Sequence, residues 1–194
     1  MWLNKQFIMK QHILPALRLT VVCLVFFTVI YPAIVWGIAQ LTPNKGQADT
    51  ITQNGKKYYT NIAQNFSDDK YFSSRPSAAA YNAAGAGGSN KGPSNPDYLK
   101  DVQVRIDSFL VHNPGVQKSE IPSDLVTASG GGLDPDISVQ AANVQIKRIA
   151  KIRDITEAAL QQLIQQQTEK PLLEFLGTEK INVLKLNLAL DNIK

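Results

Sequence analysis

The residues of this chain that could do chemistry are led by a glycine cluster, Gly85-Ala86-Gly87-Gly88-Ser89-Asn90-Lys91-Gly92. A phosphate-gripping loop sets Gly directly before its Lys and Ser or Thr directly after it. Here Asn90 precedes Lys91 and Gly92 follows. The dinucleotide pattern G-x-G-x-x-G fails as well, because Asn90 stands where the third Gly is required. Backbone amides of such a loop can still form a nest for an anion or a carbonyl, but Gly most often only permits tight turns. Gly130-Gly131-Gly132 is open to the same two readings. Asp68-Asp69 and Asp134/Asp136 offer oxygens to a cation, yet each pair is more simply a turn or a helix cap. Lys147, Arg148, Lys151 and Arg153 make a basic helix. The usual fate of such a run is a solvated face, with an anionic partner or lipid headgroup as the alternative. No Ser-His-Asp set stands out, since His112 sits at a helix end and His12 at a membrane boundary. Two His and one Cys exclude a disulfide framework and a His/Cys zinc cage. The expectation is a chain with no catalytic constellation and no metal site.

The elements that must position these residues begin with a membrane segment. Leu19 to Ala39 is a run of 21 residues without a charge. As a helix it spans about 31 Å, close to the hydrocarbon thickness of a bilayer. Tyr31 and Trp36 lie where an aromatic belt would sit. Pro32 should kink the helix, which membrane helices tolerate when a neighbouring helix or a Thr hydroxyl re-satisfies the freed carbonyl. Lys5, Lys10 and Arg18 precede the run with no acid before residue 42, so the N-terminus is expected in the cytoplasm. The rival is a signal peptide cut after Gly37-Ile38-Ala39, but the apolar stretch exceeds the usual 7–15 residues of a signal core. Cys23, inside the run, reads as a small hydrophobe. Residues 42–194 carry the other 17 basic residues and all 16 acidic ones, so their bulk charge requires no nucleic-acid partner.

An apolar content of 44% with 19% charged residues argues against wholesale disorder in the 194-residue chain. Asn54-Gly55 between Thr50-Ile51-Thr52 and Lys56 to Tyr59 predicts a β-hairpin. Residues 65–96, rich in Gly, Ser, Asn, Ala and Pro, predict an ordered wrapped loop anchored by Tyr71, Phe72 and Tyr81. Pro96 to His112 reads as a helix capped by Asn95, with Leu99, Val102, Ile106, Phe109 and Leu110 on its buried face and Asn113-Pro114-Gly115 at its end. Ser129 to Pro135 is a turn. Ser138 caps a second helix reaching about Arg153, and a third starts at Asp154 with Glu157 completing a capping box. Ile155, Ala159, Leu160, Leu163 and Ile164 form its buried face. Ile181 to Leu190 alternates Leu184/Leu186/Leu188/Leu190 with Lys185 and Asn187, which predicts a half-buried strand. The fold class is α+β: a single N-terminal transmembrane helix followed by one compact exported domain. Its expected boundaries are 1–18 cytoplasmic, 19–41 transmembrane and 42–194 extracytoplasmic.

Three blocks carry a resemblance. They are Tyr71-Phe72-Ser73-Ser74-Arg75-Pro76-Ser77-Ala78 running on to Gly88 through Pro96, Pro122 through Pro135, and Asn182 through Asp191. Together with the membrane helix, in this order and over nearly the whole chain, they resemble the C subunit of the Kdp-type potassium-transporting P-type ATPase. The resemblance implies a non-catalytic accessory subunit, and the phosphorylation sequence D-K-T-G of the pump's catalytic subunit is absent. The implied partners are a potassium-selective channel-like subunit, the P-type ATPase subunit, a small single-helix subunit and membrane lipids. The implied location is the plasma (inner) membrane, single-pass, with the folded domain outside. The partner-binding residues it suggests are Tyr71, Phe72, Ser74, Arg75, Pro76, Ser77, Ser89, Asn90, Gly92, Pro93, Asn95, Ser129, Leu133 and Asp134. The family has also been described as a chaperone that raises the ATPase subunit's affinity for ATP, and its pattern Q-x-x-R-x-A-x-x-R falls on Gln145, Arg148, Ala150 and Arg153. The resemblance thus makes Gln145, Arg148 and Arg153 candidates for nucleotide contact, although a structural role is preferred. ATP is cytoplasmic, so an effect on it from an exported domain implies indirect coupling through the membrane helices. The competing reading is a membrane-anchored exported enzyme, or a ligand-binding module, using the Gly-rich loop.

Overall fold

A computed structural model describes residues 2–53 and 55–193, with side chains described from Gln11 onward. It divides into two compact units, residues 1–49 and 50–194. The first unit is helical: α1 (Trp2–Val25), a π-helical turn (Phe26–Ile30) and α2 (Tyr31–Ala39). Gln11–Ala39 is long and apolar enough to cross a membrane, with a mean hydropathy of 2.4. Its described side chains are exposed except for half-buried Ala39. A helix that is apolar all round has no stable place in water. Pro32 is met by a widened turn just ahead of it, where Tyr31 N donates to Phe26 O. The Thr28 hydroxyl donates to Leu24 O at 2.7 Å. A single π turn is one of the ways a helix absorbs a local irregularity.

The second unit opens with a hairpin of β1 (Thr50–Gln53) and β2 (Lys56–Tyr59), paired antiparallel with Gln53 opposite Lys56. Asn54, the expected first turn residue, lies outside the described residues. From residue 60 to 95 the chain carries no helix or strand. The helix α3 (Pro96–His112) starts where Asn95 Oδ1 accepts from Asp97 N and Tyr98 N, the cap its sequence predicts. Leu99 departs from the expected buried face. It is exposed, and Tyr98 takes the inward position with Val102, Ile106, Phe109 and Leu110.

β3 (Asp136–Ile137) leads to α4 (Val139–Asn143), which Ser138 caps by accepting from Ala141 N at 3.0 Å. The expected single helix to Arg153 is instead two, because the chain turns at Val144-Gln145 before α5 (Ile146–Arg153). Asp154 does not start the next helix. It ends α5 in the left-handed conformation, and Thr156 caps α6 (Glu157–Gln167) by accepting from Ala159 N at 3.3 Å. A short sheet orders its strands β3-β5-β4, with β4 (Thr168–Glu169) and β5 (Lys180–Asn182) antiparallel.

The largest correction concerns the C-terminus. The expected strand to Leu190 stops at Asn182, and α7 (Val183–Leu190) follows. Asn182 caps it, accepting from Lys185 N at 3.1 Å. Val183, Leu186, Asn187 and Leu190 are buried at helical spacing, and Leu188 is only half-buried. The leucines satisfy both periods, and the cap selects the helix. The core joins Phe72, Ile137, Ile149, Leu160, Ile164, Ile181, Leu186 and Leu190.

Candidate functional site

The expected solvated basic helix is turned half inward. Gln145 is fully buried and Arg148 nearly so, whereas Lys147 and Lys151 face solvent. Burying a guanidinium is tolerable only when its donors are met. Arg148 Nε donates to Asn113 Oδ1 at 2.9 Å, and Nη2 to Tyr71 O at 3.0 Å and Gln145 Oε1 at 2.8 Å. Nη1 donates to Asp69 O and lies 3.7 Å from the Asp69 carboxylate. Burial pulls the Arg148 pKa down, while the Asp69 and Asp68 charges oppose that shift. Gln145 Oε1 also accepts from Ser73 N at 2.8 Å, and its Nε2 donates to Ala141 O at 2.9 Å.

Arg153 extends the same clamp. Its Nε donates to Lys70 O at 2.9 Å, and its Nη2 meets the Asp191 carboxylate at 2.6 Å. Its guanidinium lies 4.9 Å from the centre of the Tyr71 ring, a cation–π distance. The Tyr71 hydroxyl donates to Asp191 Oδ2 at 3.0 Å. Burial, then the Asp191 bond, holds the Tyr71 pKa above its ordinary value. From the other side, Asn187 pairs with the backbone of Phe72. Residues 69–73 are therefore gripped by α5, α7 and the end of α3, without joining any strand.

The loop beyond is packed by its small residues. Arg75 Nη1 meets Asp134 Oδ2 at 2.8 Å, and Arg75 Nε is buried without a partner in the described structure. The Ser77 hydroxyl donates to Gly132 O at 2.6 Å and accepts from Ala79 N and Tyr81 N. The Tyr81 hydroxyl donates to Arg75 O at 2.8 Å. Gly87 N donates to Gly131 O, and Ser129 N to Pro76 O. A Cβ on Gly88 would lie 2.8 Å from Gly130 O, and Gly132 sits at φ +70° with Gly87 O 3.0 Å from its would-be Cβ. Both glycine clusters are thus one contact between two loops.

The candidate residues divide accordingly. Tyr71 meets Arg148 and Arg153 in the clamp, Asn187 holds Phe72 beside it, and Gln145 holds Ser73. Arg75, Pro76, Ser77, Ser129 and Asp134 meet in the glycine-packed seam, and Leu133 O accepts from Ala63 N outside it. Ser74 is buried, with its hydroxyl on Gln64 O at 2.7 Å. Ser89, Asn90, Gly92 and Pro93 lie apart on an exposed stretch that feeds Asn95 and α3. Asn90 adopts φ 54°, and Lys91 beside it pairs with Asp101 at 2.7 Å. Tyr81 anchors the loop as its sequence suggests, whereas sequence reasoning missed Asn113 and Asn187 as site residues. Asn187 had a signal, being a polar residue on an otherwise leucine face.

A family model described as "K+-transporting ATPase, c chain" matches residues 13–192. The potassium-transporting ATPase KdpC subunit of Flavobacterium psychrophilum is 51% identical over 185 residues, covering 95% of this chain and 100% of the relative. That of Bacteroides fragilis is 46% identical over 188 residues, covering 95% and 98%. That of Bacillus cereus is 45% identical over 188 residues, covering 95% and 97%.

Proposed function

Since the chain belongs to the family of the C chain of the K+-transporting ATPase, we propose that it is a non-catalytic accessory subunit of an ATP-driven potassium uptake complex. It holds the complex together from the outer side of the plasma (inner) membrane. Its N-terminus faces the cytoplasm, as the positive charges ahead of the apolar helix favour. Its partners are a potassium-selective channel-like subunit, a P-type ATPase subunit and a small single-helix subunit.

One observation carries this reading. Residues 75–92 have no regular structure yet are pinned to residues 129–134 through Arg75–Asp134, Ser77–Gly132 and the glycine seam. The loop therefore presents Ala78, Ala80, Ala83, Ala84 and Ser89 as a preformed exposed face. A surface already ordered loses little conformational entropy on docking. Gln145, Arg148 and Arg153 clamp residues 69–73, which lead into that loop; we read them as positioning residues and assign no nucleotide contact to them. Any rise in the ATP affinity of the pump is then transmitted through the membrane helices.

Deletion of the chain in a strain relying on this uptake system is expected to abolish growth and potassium uptake at limiting potassium, with recovery at high potassium. Detergent purification of the tagged chain should retain the pump subunits. Unimpaired growth of the deletion strain under potassium limitation contradicts the proposal.

A further inference from the structure

Residues 171–177, between β4 and β5, form a small closed loop with its large apolar side chains outside. Leu172, Leu173, Phe175 and Leu176 are 70%, 68%, 73% and 51% exposed. Leu172 and Leu176 form an antiparallel bridge. Leu176 N donates to Leu172 O at 2.9 Å, and Glu174 N to Pro171 O at 3.0 Å. Leu173 and Glu174 hold φ values of 55° and 67°, a left-handed conformation unfavourable for residues with a side chain. Elsewhere in residues 50–194 the exposed large apolar residues Tyr59, Leu99, Val104, Val111 and Ile152 are spread along the chain, as on ordinary surfaces. A strained turn that gathers four at one tip needs another account.

We propose that this tip is a membrane-interface anchor, inserting Leu172, Leu173, Phe175 and Leu176 among the headgroups and first methylenes of a lipid bilayer. The occupant follows from the tether. Ten residues, 40–49, join the apolar helix to β1, and ten residues reach at most about 36 Å. A domain held that close to a bilayer by a spanning helix has lipid as its constant apolar neighbour. Two backbone N–H groups, of Glu174 and Leu176, are paired within the loop, and the headgroup level, where water still reaches, suits the rest of its backbone better than the hydrocarbon core, where every such group must be paired. Lys170 and Glu174 balance in charge near the tip. Insertion is therefore driven by leucine and phenylalanine and needs no anionic lipid. The proposal rests on residues 11–39 spanning the bilayer.

The test uses the full chain in phosphatidylcholine vesicles containing lipids brominated near the headgroup end of the acyl chains. F175W and L172W are each made in a background with Trp2→Phe and Trp36→Phe. Each reporter is expected to lose most of its emission to bromine quenching, at low and high salt alike. Adding L173D and L176D should restore the emission. Native Trp36, kept in a separate variant with only Trp2 replaced, reports on the helix itself. Quenched Trp36 with unquenched tip reporters overturns the proposal while leaving the membrane helix standing. Unquenched Trp36 removes its premise and overturns both. Tip reporters shielded only when pump subunits co-purify assign the tip to a protein partner and overturn the lipid proposal.

Discussion

Asn187 on α7 makes both backbone hydrogen bonds of Phe72, accepting from its N–H through Oδ1 at 2.9 Å and donating from Nδ2 to its carbonyl at 2.9 Å. A side-chain amide here takes the place of a neighbouring strand, and both residues are buried. Phe72 can therefore fill the core while the chain around it stays a loop. Without such a partner, each buried backbone group would go unsatisfied.

Replacing Asn187 by Leu keeps the branched shape and removes both bonds. Leaving the buried Phe72 N–H and carbonyl unpaired is expected to cost about 2–4 kcal/mol. Asn187→Asp should also destabilise, since it retains an acceptor but loses the donor and buries a charge. Chemical unfolding of the purified chain in detergent measures both, and wild-type stability in Asn187→Leu would contradict this role.

Arg148→Lys keeps the charge and loses the fork. An ammonium cannot reach Asn113, Tyr71, Asp69 and Gln145 together. With hydrogen bonds to charged groups worth about 1.5–3 kcal/mol each, a loss of at least about 2 kcal/mol is expected. The same variant should speed proteolysis around residues 64–75. An Arg148→Lys chain as stable and protease-resistant as wild type would show that the fork is not needed.

The two predictions concern residues unequally legible in the sequence. The helix α3 was readable because Asn95, Pro96 and the Asn113-Pro114-Gly115 stop are local signals. The burial of Arg148 was not, because its acceptors at Asp69 and Tyr71 are more than 70 residues away. A run of Lys and Arg looks solvated until those acceptors are known. The α7 leucines fit a strand by alternation and a helix by spacing, and only the Asn182 cap decides. The two glycine clusters were each visible, but their contact with one another is tertiary and leaves no mark at either site. The resemblance named Arg75, Ser77 and Asp134 only as contacts to a partner, and their contacts within the chain, Arg75 with Asp134 and Ser77 with Gly132, join positions more than 50 residues apart.

Glu169 sets an acid limit on stability. The hydrogen bond from Lys185, with the Lys185 and Lys180 charges, holds its carboxyl below the ordinary 4.5 despite opposing desolvation. A depressed folded pKa means its stabilisation is fully present above about pH 4.5 and is lost as pH falls through the folded value. Glu169→Gln should flatten this part of the acid unfolding profile and lower neutral stability by the same small amount, since the group is partly solvated. An unchanged acid limb would rule this carboxylate out.

Lys180 acts at the opposite end. The hydrogen bond to Asp136 raises its pKa above the ordinary 10.5, with desolvation opposing. Its stabilisation is present below about pH 10.5 and disappears as pH rises through the folded value. Lys180→Met should remove this alkaline dependence, and an identical alkaline unfolding curve would contradict the assignment.

Gly132→Ala adds a Cβ to a left-handed residue, 3.1 Å from both Ala79 Cβ and the Ser77 hydroxyl. A loss of about 1–3 kcal/mol is expected. Gly130→Ala, where a Cβ meets nothing within 4 Å, should be milder. Cleavage within residues 77–92 by a nonspecific protease distinguishes them, and equal cleavage would mean the seam does not order the loop.

On the proposed function, the seam presents a docking face to the pump subunits. Ala83 and Ala86 are exposed on the loop, so A83W and A86W add bulk without entering the core. The most direct measurement is retention of the pump subunits by the tagged full chain on detergent purification, beside its unfolding temperature. The expected result is loss of the pump subunits from both variants with the unfolding temperature unchanged. Wild-type retention of the subunits by both variants would contradict the claim.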